Sequence, residues 1–262
     1  MGAFTGNNEL VDRNNAWIIK IIIEPENDLK TLAIIPARGG SKGIPRKNLV
    51  EINGLPLVGH SIAHALASKI VTRTLVSTDD PEIADVSLRF GAEVPFMRPK
   101  SLAEDHVLDL PVFQHALEFL ERTDGFVPDI VVHLRPTTPY RKPEWIDEAI
   151  MLLMNNPEAD SVRSVSKPEK HPYRMFRIGP DGYLYPIMKS EHPVPYLLRR
   201  QDLPDVYYYN CVIDVTRPST IIGKNSMTGD RIAPYIMNPD DVIDIDAPRD
   251  LQIARFLMEK MR

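Results

Sequence analysis

The chain has 262 residues, 43% hydrophobic and 26% charged, enough for one sizeable α/β domain with room for a small appendage. Its net charge of −5 argues against a basic nucleic-acid-coating surface, so no nucleic-acid partner is expected, and an anionic ligand must be drawn in by local cations. A single cysteine, Cys211, excludes an intrachain disulfide framework and a Cys-rich zinc site and fits a cytoplasmic location.

Residues 1–30 are set apart as an N-terminal extension with no assigned role. Within them Trp17–Ile23 (WIIKIII) is apolar but short, interrupted by Lys20 and followed by the acidic EPEND. A membrane span needs about 20 apolar residues and a signal sequence lacks such an interruption, so the run reads as an extra strand or a leader outside the core, and no membrane partner is expected.

The stretch Thr31–Leu49 (TLAIIPARGGSKGIPRKNL) opens with a strand-like apolar run, Leu32 to Ile35. A loop follows with Gly39, Gly40 and Gly43 and four cations, Arg38, Lys42, Arg46 and Lys47. Glycines after a strand let bare backbone N–H groups approach a polyphosphate, and the cations neutralise it. The loop fits neither the P-loop nor the dinucleotide-binding fingerprint. It reads as a nucleotide-triphosphate loop; the plainer alternative is a basic turn.

Leu57 to Ile70 is predicted to be a helix. On it His60 and His64 stand four apart, a spacing able to hold a metal, but a solvated or capping role is preferred because no supporting acidic neighbour is present. Arg73–Ser77 reads as a strand. Asp80 and Pro81 then cap and start a helix that ends near Gly91, and Val94–Met97 reads as a further short strand. Next comes a helix with Leu110, Phe113, Leu117 and Leu120 on its core face, and then the strand Val131–Val132 running into HLRPTTPYR. The alternation predicts a mostly parallel, twisted sheet with helices on both faces, in which ligands bind beyond the C-terminal ends of the strands.

From Lys167 to Asp205 prolines and aromatics cluster. The turn Gly179–Gly182 between two extended runs predicts a projecting hairpin whose aromatics exceed what so thin an excursion could bury, suggesting a partner chain. In the closing VIDIDAPRDL, strand alternation puts Asp244 and Asp246 on one face, about 7 Å apart. Two carboxylates there repel each other unless a cation sits between them, and Mg²⁺ suits a pair completed by substrate oxygens. Asp246 has a second reading as the N-cap of the last helix, which would leave Asp244 unexplained. That helix, with Leu251, Ala254, Leu257 and Met258, is expected to pack on the sheet. Cys211 reads as a buried small hydrophobe and not as a nucleophile.

ARGGSKGIPRKN resembles the first motif of the acylneuraminate cytidylyltransferases, the CMP-sugar synthetases that activate sialic acid and other nonulosonic acids. The resemblance runs from about Thr31 to the C-terminus. It implies a nucleotidyltransferase domain over 31–262, CTP and a sugar acid as substrates, Mg²⁺ on Asp244 and Asp246, and a homodimer formed through the arm at 167–205. Ala37, Arg38, Gly39, Gly40, Ser41, Lys47 and Asn48 would then bind the nucleotide, with Arg38 and Lys47 catalytic. FMRPKSLAED looks like the family segment whose arginine, here Arg98, reads cytosine, with Asp105 and Asp109 near the base. Arg98 has an alternative as a plain partner of Glu93 or Asp105.

HLRPTTPYR is similar to the family's L-Q-P-T-S-P-L-R, with Arg135 in place of the glutamine that touches the sugar acid. Thr137 and Arg141 join the substrate side, although Arg141 could equally brace the next helix. RRQDLP looks like the family's R-Q-x-L-P and assigns Arg200 and Gln201 to the sugar or dimer side. Asn210 matches the asparagine of R-P-N-G-A-I-Y-I, in which Tyr208 and Cys211 replace arginine and glycine. These departures keep 3-deoxy-octulosonate and a phosphonate open as acceptors. A catalytically silent nucleotide-binding protein and a glycosyltransferase are the rivals from other classes.

Overall fold

The computed structural model describes residues 28–260, so Trp17–Ile23 and nearly all of the N-terminal extension lie outside the described residues. The apolar run after Lys30 forms β1 (Thr31–Pro36), buried throughout except at its last residue. Such a continuous apolar strand belongs in the interior of a sheet covered on both faces. Parallel neighbours flank it there.

A small hairpin, β2 (Glu51–Ile52) and β3 (Leu55–Pro56), leads into α1 (Leu57–Ala67), and then come β4 (Arg73–Ser77) and α2 (Pro81–Arg89). The chain continues through α3 (Asp109–Asp124), β5 (Ile130–His133), α4 (Pro143–Met154) and β6 (Ser161–Ser166). The arm contributes the two-stranded pair β7 (Phe176–Ile178) and β8 (Leu184–Pro186). After it come β9 (Tyr208–Thr216), α5 (Pro218–Ile222), β10 (Ile232–Ile236) and α6 (Pro248–Lys260).

The main sheet has the order β10-β6-β9-β5-β1-β4. β4, β1 and β5 run parallel, as do β6 and β10, while β9 is antiparallel to both of its neighbours. Two apolar cores cover its faces. One gathers Val58, Ile62, Ile83, Ile146 and Ile150 from α1, α2 and α4; the other gathers Phe113, Leu117, Leu120 and Ile221 from α3 and α5.

Local rules hold at several places. Asp80 accepts from the backbone N–H groups of Glu82 and Ile83 and Pro81 starts α2. The hairpin turns at Gly182, whose φ of +81° suits glycine. Three expectations change. The helix from Leu57 stops at Ala67, because the Ser68 hydroxyl captures the N–H groups of Ile70 and Val71. Val94–Met97 forms no strand: pairing is limited to one bridge, Leu75 with Glu93, and Pro95 has no N–H to extend it. Finally, α6 packs in a satellite cluster with Ile44, Ile52, Leu57, Ile243 and Ile245, against the β2–β3 hairpin and not on the main sheet.

Candidate active site

Parallel β1, β4 and β5 bring three loops to one edge of the sheet. The glycine loop leaves β1 at Ala37, whose N–H bonds the carbonyl of Ser77, 2.9 Å away. The N–H of Gly39 bonds Asp79 at 3.0 Å, and Asn48 clasps the carbonyl of Arg38 at 2.9 Å. Glycine is required where the loop touches its neighbours: a Cβ on Gly43 would come within 2.3 Å of the Asp246 carbonyl, whereas one on Gly40 would meet open space. Arg46 turns away to pair with Asp80 and Glu82. Arg38, Ser41, Lys42, Gly43, Lys47 and Asn48 line a cleft of about 400 Å³ together with Arg98, Asp105, Asp109, Arg135, Thr137 and Asp246.

Arg98 is buried, and its guanidinium donates to the Ser77 hydroxyl at 3.0 Å and the Ser77 carbonyl at 2.5 Å. Burial lowers its pKa to about 10. Neither expected carboxylate takes it. Glu93 is held by Arg73, and Asp105 reaches across to the glycine loop, to Arg38 at 3.0 Å and Lys42 at 2.5 Å. These two cations, Lys42 first, hold the Asp105 carboxyl below its ordinary pKa. Asp105 therefore sits against the glycine loop and not beside Arg98.

The floor of the cleft holds a buried charge network. Arg135 donates from Nη1 to Asp214 at 2.6 Å and from Nη2 to Asp109 at 3.1 Å. Asp214 is fully buried and also takes Arg163 at 2.9 Å and the Tyr209 hydroxyl. Burial works against the charge of Arg135, yet Asp214, Tyr209 and Asp109 raise its pKa above the ordinary arginine value. Burial and the nearby arginines push His133 well below its usual range. Asp214, Tyr209, Arg163 and His133 were not singled out as site residues; the available signal was an aspartate inside the apolar run CVIDV of β9.

Other candidate residues fall outside the cleft lining. Arg141 is buried and spends its guanidinium on the carbonyls of Val212 and Arg135, the Thr138 hydroxyl and His64, so it braces the 135–138 loop against β9. Burial and Arg135 bring it to about pKa 9. Asn210 is buried, its amide shared between Ser166 and the N–H of Val212. Arg200 and Gln201 lie exposed in the arm, where Arg200 reaches the Pro168 carbonyl at 3.4 Å. His60 is neither solvated nor a cap: it is buried and bonded to the Ile52 carbonyl at 2.9 Å. His64 is driven to about pKa 3, by burial first.

The closing segment keeps its alternation, with Ile243 and Ile245 buried and Asp244 and Asp246 exposed, but it is an extended stretch outside the sheet. The Ile245 N–H bonds the Thr137 carbonyl at 2.9 Å. Lys47 crosses from the glycine loop to the Ile245 carbonyl at 2.8 Å and to Asp246 at 3.3 Å. The helix start is capped by Asp250, which accepts from the N–H groups of Asp246 and Ala247, so the Asp246 carboxylate is free of capping duty. Although the Asp244 side chain reaches solvent, protein packed around its carboxyl raises its pKa, by desolvation first and then through Asp246, with the Thr137 bond, Lys47 and Arg135 opposing. That like-charge pair, only partly offset by Lys47 and Arg135, fits a divalent cation. Among the described residues no group of three or more His, Cys, Asp or Glu gathers to hold a metal, so a cation on this pair would need substrate oxygens and water as its further ligands.

Residues 32–222 match the family profile described as cytidylyltransferase. A pseudaminic acid cytidylyltransferase of Campylobacter jejuni is 31% identical over 229 residues, covering 87% of this chain and 96% of that protein. A CMP-N,N'-diacetyllegionaminic acid synthase of Legionella pneumophila is 34% identical over 232 residues, covering 88% and 97%. The solved structure of a CMP:2-keto-3-deoxy-manno-octonic acid synthetase complexed with CTP matches with a TM-score of 0.65 at 19% identity, over 89% of this chain and 100% of that one. A 4-diphosphocytidyl-2C-methyl-D-erythritol synthase from Anaerococcus prevotii matches at 0.59 and 12%, over 88% and 99%. These two likenesses establish the nucleotidyltransferase fold.

Proposed function

The chain belongs to the cytidylyltransferase family, and from that membership we propose that it couples CTP to the anomeric hydroxyl of a nonulosonic sugar acid, giving the CMP-sugar and pyrophosphate. The observation that carries the reading is Lys47, which reaches from the glycine loop to Asp246 across 3.3 Å and so unites the cationic loop with the carboxylate pair. Attack on the α-phosphate with loss of pyrophosphate demands positioning and charge neutralisation. Arg38, Ser41 and the open backbone at Gly40 hold the triphosphate, which displaces Asp105 from Arg38 and Lys42. Lys47 neutralises charge at the α-phosphate and the departing group. Arg98, with no carboxylate in ion-pair range among the described residues, offers its remaining donor capacity to the base. Asp244 and Asp246 would hold Mg²⁺, which supplies charge neutralisation and lowers the pKa of a bound hydroxyl.

The acceptor lies towards Thr137 and Arg135. In this reading Arg200 and Gln201 serve a second subunit: the arm exposes Ile178, Tyr183, Leu184 and Leu197, an apolar surface that suits a homodimer. A cytoplasmic site of action accords with CTP as donor. Among the described residues no helix is long and apolar enough to cross a membrane.

The test is pyrophosphate release with Mg²⁺ from CTP, ATP, GTP and UTP, with a panel of nonulosonic and octulosonic acids. CTP-specific release with a nine-carbon acid is the expected result. CTP binding with no turnover of any acid would overturn it.

A further inference from the structure

Arg135 comes from the loop after β5, whereas Tyr209 and Asp214 both belong to β9. Arg135 lies 74 or more positions from the other two, yet in the fold the three form one contact set. Arg135 bonds Asp214 at 2.6 Å, Tyr209 donates its hydroxyl to the same carboxylate, and the guanidinium lies 5.6 Å from the centre of the Tyr209 ring. A neutral amide at 135 would need no buried anion. An arginine there, close enough to Arg141 and His133 to depress their pKa values, needs one. Asp214 supplies it.

The two arms of the Arg135 fork are held differently. Nη1 is fixed by a carboxylate that is 0% exposed and cannot leave; Nη2 faces Asp109, which is 43% exposed at the start of α3. Both Arg135 and Asp109 line the cleft. A carboxylate arriving there can replace Asp109 one for one, keeping the balance of two arginines, Arg135 and Arg163, against two anions. A neutral ligand would break the pair with no such compensation.

Resting on the reading of the chain as a sugar-acid cytidylyltransferase, we infer that Arg135 reads the carboxylate of the acceptor through Nη2, displacing Asp109, and that Asp214, seconded by Tyr209, is its positioning residue. The three residues together then select an acid at this subsite.

The test compares an acid acceptor with its carboxamide at saturating CTP, alongside CTP affinity by calorimetry. Arg135→Lys keeps a charge for Asp214 but loses the second arm of the fork. It should stay folded with unchanged CTP affinity, raise KM for the acid by about tenfold or more, and lose the preference for acid over amide, as expected for one missing charge-assisted bond. Arg135→Gln should go further in the same direction, and Asp214→Asn should reproduce the KM effect if it folds. Unmoved KM and unmoved acid preference in Arg135→Lys and Arg135→Gln would overturn the inference. Wild-type turnover in the same assay separates the two readings: turnover with unmoved variants sinks only this inference, whereas no turnover of any acid sinks both.

Discussion

Replacing Lys47 by alanine tests the centre of the proposed mechanism. The Lys47 side chain is 15% exposed and its ammonium donates to the Ile245 carbonyl at 2.8 Å, while the side chain of its ionic partner Asp246 is 79% exposed. So exposed a partner makes the pair itself worth at most about 1 kcal/mol of stability, since solvent screens it. A loss of that size lowers Tm by about 2–4 °C in a domain of this length. Catalysis should suffer far more. Removing one preorganised donor aimed at developing charge costs about 10²–10³ in kcat, or roughly 3–4 kcal/mol. Arg38 and Lys42 remain, so KM for CTP should move little. Initial rates of pyrophosphate release at saturating substrates, with a thermal melt of the same preparation, separate the two effects. A Lys47→Ala protein with near-normal kcat would refute the assignment, and a loss confined to KM for CTP would reduce Lys47 to a binding residue.

Four further outcomes follow from the same geometry. Desolvation and Asp246 raise the Asp244 pKa, so its charge is a cost present above the shifted value and absent below the ordinary carboxylate range. Acidification through that window relieves it; accordingly Asp244→Asn should raise Tm at pH 7 in the metal-free protein while abolishing turnover, and a lowered Tm would contradict this. Cys211 sits at φ +63°, on the irregular stretch of β9 between the pairings of Tyr209 and Asp214. A β-branched Cys211→Val should cost about 1–2 kcal/mol in denaturant unfolding, whereas Cys211→Gly should stay within about 1 kcal/mol of the parent. The exposed cross-strand pair Ile178 and Leu184 should lie in the subunit interface, so Leu184→Asp should convert a dimer to monomers in light scattering; a monomeric parent protein would end that idea. Gly43→Ala drives a methyl against the Asp246 carbonyl and should lower Tm and kcat together, whereas Gly40→Ala, facing open space, should leave Tm unchanged and report only on CTP affinity.

What was legible in the sequence was what local chemistry decides. The bounds of β4, the Asp80 cap with Pro81, and the hairpin turning at Gly179–Gly182 each depend on a few adjacent residues. Proline explains one miss, since Pro95 denies Val94–Met97 a ladder although its apolar composition suits a strand. The other misses are matters of pairing across the chain. Nothing near Asp105 says that its carboxylate will cross to Arg38 and Lys42, and nothing near Arg135 names Asp214, 79 positions away, as its partner. Capping of the last helix fell to Asp250 instead of Asp246 because the side chain three residues into a helix can reach back to the N–H groups before it, a choice the spacing leaves open.

That last detail bears on how the site is assembled. The carboxylate pair stands on a segment tied to the rest at four points: Ile245 to the Thr137 carbonyl, Lys47 to the Ile245 carbonyl, Gly43 against Asp246, and the side chains of Ile243 and Ile245. Three of these reach the loops after β1 and β5, and the fourth joins the satellite cluster with Ile44, Ile52 and α6. None is a rung of the main sheet. The sheet therefore sets the nucleotide loop and Arg98, while the second carboxylate half of the chemistry is brought up by a separate small core. Smaller packed units open at lower free energy than a sheet buried on both faces. Parting of the two halves without unfolding the sheet would break the Lys47–Asp246 contact and free both side chains for an arriving phosphate group.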